Sequence, residues 1–82
     1  MVVTDFGKQF ERNFKKIKDK SLKEKLSKII HKIILSPEIG KPMQYGRKGT
    51  RELYIKPFRL SYSYIHNEDR IIFIDIYHKD SQ

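Results

Sequence analysis

Two cations and an imidazole stand in the last third of this 82-residue chain: Lys56, Arg59 and His78, with Lys79 directly after the histidine. A guanidinium holds a phosphate with two parallel donors, and an ammonium adds a point charge beside it. A neutral imidazole placed next to such a phosphate can take the proton from a ribose 2′-hydroxyl, which then attacks phosphorus. The cations would neutralise the crowded phosphorane, and proton transfer of this kind is worth about 10²–10⁴-fold. These residue types therefore point to RNA phosphate chemistry. For His78 the plainer alternative is a strand-terminal histidine hydrogen-bonded to backbone.

Further residues would serve binding. Tyr54 offers a ring on which a base can stack, or it simply covers the sheet. Arg47 and Lys48 stand between Gly46 and Gly49, a basic turn with the look of a phosphate loop or of an ordinary turn. Arg51 and Lys79 complete the basic set. No His/Asp/Glu cluster has metal-ligand spacing, so neither a metal nor another cofactor is expected. His31 and His66 read as surface residues.

Strands must carry these groups. Leu53 and Ile55 alternate with Glu52, Tyr54 and Lys56, giving a strand over about 51–56 that Pro57 bends or ends. Phe58, Leu60, Tyr62 and Tyr64 alternate with Arg59, Ser61 and Ser63 in the next strand. Asn67-Glu68-Asp69 supplies a hairpin turn, and a last strand covers about 70–77. Period-two geometry then turns Arg59 and the serines, with Tyr54 and Lys56, away from the core and onto an open face.

Upstream, Met1–Thr4 is compatible with a first strand, and Thr4 or Asp5 can cap a helix. Phe6, Phe10, Phe14 and Ile17 recur at helical spacing as its core face. Ser21 and Glu24 have the spacing of a capping box. A second helix follows, with Leu22, Leu26, Ile29, Ile30 and Ile33 inward, and it stops before Pro37. Residues 38–43 read as a loop, and Gln44-Tyr45 as a short strand. The order is β-α-α-β-β-β-β. This is an α+β domain, a two-helix hairpin on one face of a small twisted antiparallel sheet, with the other face open.

Eighty-two residues make one domain, spanning 1–82, with one modest core. Eighteen Lys+Arg against 10 Asp+Glu give +8, which favours an anionic partner. With no cysteine there is no disulfide framework or thiolate metal site. No signal-peptide h-region and no membrane-length apolar run are present, so a cytoplasmic protein without membrane contact is expected.

The element order, the block Gly49-x-x-Glu52-Leu53-x-Ile55-x-x-Phe58-Arg59-Leu60-x-Tyr62 and the terminal Ile-Phe-Ile-Asp-Ile-Tyr-His-Lys strand resemble the RelE/ParE toxin superfamily of type II toxin–antitoxin pairs. The resemblance covers essentially the whole chain. It implies a RelE-like fold and, in the RelE branch, a ribosome-dependent mRNA interferase that leaves a 2′,3′-cyclic phosphate, inhibits translation and is neutralised by a wrapping, RelB-like antitoxin. Arg59 matches the family's active-site arginine, and Lys56 a basic residue lining the RelE site. His78 resembles the catalytic histidine of the YoeB-like subgroup. Tyr54 falls where many members carry a basic residue, and Asp80 where RelE has arginine. The chain also stops without the usual C-terminal helix and its tyrosine.

The expectation is thus an mRNA endoribonuclease toxin with Arg59, Lys56 and His78 catalytic, whose partners are the antitoxin, the ribosome and mRNA. The alternatives on the same fold are a ParE-like inhibitor of DNA gyrase and a catalytically weak member that keeps only antitoxin binding. The nuclease reading requires residues 59 and 78 to face one hollow. On opposite sides of the sheet they would leave a basic binding scaffold.

Overall fold

The computed structural model describes residues 2–43 and 49–81. A short strand, β1 (Val3–Phe6), leads into helices α1 (Lys8–Lys16) and α2 (Lys20–Leu35). Four strands follow: β2 (Lys41–Pro42), β3 (Thr50–Ile55), β4 (Phe58–Ile65) and β5 (Arg70–His78). The expected element order is present, with β2 inside the stretch read as loop. The Gln44-Tyr45 strand and most of the Gly46–Gly49 turn lie outside the described residues.

Local chemistry shifts several boundaries. Thr4 and Asp5 are engaged in β1, paired with Ile71 and Ile72, so neither caps α1; Gly7 does, with no side-chain cap. Phe6 is likewise a strand residue, its ring stacked 5.0 Å from Phe73 and tilted against Phe10 at 5.6 Å. Asp19, not Ser21, caps α2, its carboxylate accepting from the Ser21 and Leu22 amides at 2.9 and 3.2 Å. Helix α2 ends at Leu35, before Pro37.

The sheet order is β1-β5-β4-β3-β2. Neighbours run antiparallel except β1, which lies parallel to β5, so the sheet is mixed and open. The parallel pair follows from topology: the chain crosses the helical layer and three strands before β5 returns to β1. One face of the sheet carries the core, where Leu60, Tyr62, Ile71, Phe73 and Ile76 meet Phe10, Ile17, Leu26 and Ile33 from the helices and the residue after α1. Fully burying such a side chain contributes about 1.5–3 kcal/mol.

One irregularity decides where side chains point. Ser61 pairs with Asp75 and Tyr62 with Phe73, so Ile74 has no partner on β4. This β-bulge reverses the alternation of β5 beyond Phe73. Asp75 braces it, accepting from the Ile76 amide at 2.7 Å and from Asn13 Nδ2 at 2.8 Å.

Candidate functional site

The open face bears a hollow of about 440 Å³ lined by Ile39, Lys41, Met43, Glu52, Leu53, Tyr54, Arg59 and Lys79. Adjacent strands assemble it. Arg59 on β4 stands between its partners Tyr54 on β3 and Tyr77 on β5. Directly opposed residues of antiparallel strands share a face, so all three point outward. Tyr54 is half exposed, and Lys79 Nζ lies 5.6 Å from its ring centroid, within cation–π range. The Lys79 amide donates to the Pro57 carbonyl at 2.9 Å, which ties the chain after β5 to the β3–β4 turn.

Beneath Arg59 lies the one buried charged residue among those described, Glu52, 6% exposed. Its Oε2 accepts from the Tyr77 hydroxyl at 2.5 Å, and its Oε1 lies 3.4 Å from Arg59 Nη1. Arg59 Nε is shielded from solvent and donates to no described group. The Nη1 contact is long for a charge-assisted hydrogen bond. Glu52 therefore anchors the guanidinium without saturating it.

The segment before β3 forms one wall. Tyr62, fully buried, donates through its hydroxyl to the Pro37 carbonyl at 2.6 Å and accepts from the Gly40 amide at 2.9 Å. Burial pushes the Tyr62 phenol above its ordinary pKa, against the opposing pull of the Gly40 amide and Arg51. Arg51 Nη1 donates to the carbonyls of Glu38 and Gly40 at 3.0 and 2.9 Å. Its guanidinium thus holds the wall from the helical side.

The expected site residues separate accordingly. Arg59, Tyr54 and Lys79 come together. Lys56 occupies the exposed turn beyond Ile55 and does not line the hollow. Arg51 pairs with Tyr62 on the helical face. Arg47 and Lys48 lie outside the described residues.

His78 corrects the main expectation. It pairs with Phe58, its ring set edge-on at 5.6 Å, and so shares the face of Leu60 and Ile76, opposite to Arg59. There it lines a separate cleft of about 450 Å³ with Lys16, Lys18, Asp19, Leu22 and Phe58. Its Nδ1 accepts from the Asp80 amide at 3.2 Å. The bulge at Ile74 is the physical cause, because one extra residue turns position 78 over. Sequence reasoning in turn missed Glu52, Tyr77 and Lys41. The signal for Glu52 was its place opposite Ser61, two residues along from Arg59 on one face.

Among the described residues, no helix is long and apolar enough to cross a membrane. Residues 5–82 match the family described as ParE toxin of type II toxin-antitoxin system, parDE. A comparison with curated protein sequences finds no significant match. Solved structures share the fold. A chain of the intact Escherichia coli RelBE toxin–antitoxin complex superposes with TM-score 0.80 at 19% identity, over 95% of this chain and 96% of that one. A chain of the Mycobacterium tuberculosis RelBE2 toxin–antitoxin complex gives 0.83 at 16% identity, over 95% and 98%. The YoeB/ParE toxin from Agrobacterium tumefaciens gives 0.82 at 14%, over 94% and 98%.

Proposed function

The chain belongs to the ParE toxin family, a type II toxin–antitoxin toxin of the RelE/ParE/YoeB superfamily, and from that premise we propose that it arrests translation by acting on mRNA at the ribosome through the hollow around Arg59. The observation that carries this reading is the convergence of Arg59, Lys79 and Tyr54: a phosphate grip beside a base platform. In this reading Arg59 and Lys79 hold the scissile phosphate and stabilise the phosphorane formed by 2′-hydroxyl attack. Tyr54 stacks on a neighbouring base.

The imidazole of His78 lies on the opposite face of the sheet, so the condition set by the sequence for scission by residues 59 and 78 together fails, and the present proposal rests on the grip of Arg59 and Lys79 alone. Without that base the roughly 10²–10⁴-fold from proton transfer is missing, so cleavage is slow. Primer extension on a translated mRNA tests the proposal. Cuts that vanish in Arg59→Ala and persist in His78→Ala are expected. Transcripts left whole by wild-type protein on translating ribosomes would end the endoribonuclease reading.

A specific observation favours a second reading. With His78 on the far face, no described imidazole stands beside Arg59, and inhibition by binding needs none. A ParE-like toxin that holds DNA gyrase fits that arrangement. A supercoiling assay with purified gyrase separates the two, since only this reading expects loss of supercoiling.

For either, we propose an antitoxin as partner, acidic enough to offset the +8 charge and extended enough to wrap the domain. Structures of like fold were solved as toxin–antitoxin complexes.

A further inference from the structure

Three side chains on three strands form a chain of contacts under the hollow: Tyr77 Oη to Glu52 Oε2 at 2.5 Å, and Glu52 Oε1 to Arg59 Nη1 at 3.4 Å. The obvious role for Glu52 is to neutralise Arg59, yet that role conflicts with gripping a phosphate. A carboxylate free to turn would pair with the guanidinium fork through both oxygens and compete directly with any anion. The geometry shows one restraint against this. The short Tyr77 hydrogen bond takes one carboxylate oxygen and draws it away from Arg59. The other oxygen reaches one terminal nitrogen at long range, while Nε meets no acceptor among the described residues.

We propose that Tyr77 and Glu52 are positioning residues, Tyr77 holding the Glu52 carboxylate in a one-point contact so that Arg59 stays oriented and open to an RNA phosphate. Glu52 supplies direction: 6% exposed, it fixes the guanidinium from below and leaves it facing the hollow. Tyr77 supplies restraint. Neither touches the substrate; both act through Arg59. The inference rests on the hollow being the RNA site and adds how Arg59 is kept available beside a buried carboxylate.

The arrangement has an epistatic signature that a merely structural role lacks. Tyr77→Phe keeps the ring and deletes that hydrogen bond, so the Glu52 carboxylate turns toward Arg59 and RNA binding weakens. Removing the carboxylate charge as well, in Tyr77→Phe/Glu52→Gln, relieves the competition and restores binding. Were the pair only structural, the double variant would be worse than either single one.

The test is fluorescence anisotropy with a labelled single-stranded oligouridylate of about eight nucleotides, beside a thermal melt of each variant. Expected are a loss of about tenfold or more for Arg59→Ala, from one charge-assisted contact. Tyr77→Phe should lose about five- to tenfold, and the double variant should return to within about twofold of wild type. If Glu52→Gln fails to fold, Glu52→Asp takes its place in the Tyr77→Phe background, since the shorter side chain also withdraws the carboxylate. Wild-type affinity in Tyr77→Phe, or no recovery in the folded double variant, overturns the positioning role while leaving Arg59 as the grip. Wild-type affinity in Arg59→Ala overturns the RNA hollow itself.

Discussion

Replacing Tyr62 with phenylalanine deletes one oxygen from the core and strands two backbone groups. The hydroxyl donates to the Pro37 carbonyl and accepts from the Gly40 amide, at 2.6 and 2.9 Å. Arg51 does not replace it, because its guanidinium bonds the carbonyls of Glu38 and Gly40 instead. A buried polar group left unpaired costs about 1–3 kcal/mol. Pro37 is only half-buried and can recover water, whereas Gly40 is buried, so the sum comes to about 2–3 kcal/mol. That is a large share of the roughly 4–12 kcal/mol expected for a domain of this length. With a urea slope near 1 kcal/mol/M, the midpoint of equilibrium unfolding should fall by about 2–3 M at unchanged slope. The lost bonds also loosen the wall formed by Ile39 and Lys41, so if the hollow is the proposed RNA site, affinity for a single-stranded oligoribonucleotide should drop even where the variant remains folded. A midpoint within about 0.5 M of wild type would show that the hydroxyl holds nothing in place.

Gly40→Ala attacks the same joint by volume: an added Cβ would lie 2.6 Å from the Tyr62 hydroxyl oxygen and 3.0 Å from Arg51 Cβ. Overpacking of this kind costs about 1–3 kcal/mol, read as a lower melting temperature. The raised Tyr62 phenol fixes an alkaline effect, because a folded pKa above the ordinary 10.0 gives stability that is complete below that value and is lost as pH rises through the folded one. Wild-type urea midpoints should therefore fall above pH 10 more steeply than those of Tyr62→Phe, and parallel declines would refute this. If Arg59 meets one phosphate, Arg59→Ala should lower the slope of log affinity against log salt for a single-stranded oligoribonucleotide by about 0.7. An unchanged slope would place the phosphate elsewhere.

Much of the fold was legible because its signals are redundant. The apolar faces of Phe10 and Ile17, and of Leu26 and Ile33, recur at helical spacing, and each is buried as the period requires. Alternation in β3 and β4 assigned Leu53, Ile55 and Leu60 to the core and Tyr54 and Arg59 to the open face, and the register agrees. What escaped depends on tertiary partners. Asp5 reads as a helix cap until Arg70 arrives from 65 residues away to pair with it. Lys56 reads as a strand residue until the chain reverses at Pro57. Glu52 looks like one more outward-facing acid, since nothing local says that Tyr77 and Arg59 will cover it.

The displacement of His78 has a sharper cause. From Ile71 to Ile76 every residue but Asp75 is apolar, so the segment offers no alternation from which to read its register. Strict period two from Ile71 and Phe73 puts residue 75 inside and 76 outside. That would bury a carboxylate and expose an isoleucine, which costs several kcal/mol against nothing gained. Inserting one unpaired residue cancels the penalty: Ile74 moves to the surface at 36% exposure, Asp75 bonds Asn13 and its own strand, and Ile76 enters the core at 1%. The single aspartate in an apolar run was thus the available cue for a bulge. Once the bulge is granted, the face of residue 78 follows, because Ile76 inside puts Tyr77 beside Arg59 and sends the imidazole to the helical side. The same extra residue that removes a base from the hollow delivers the Tyr77 hydroxyl to Glu52.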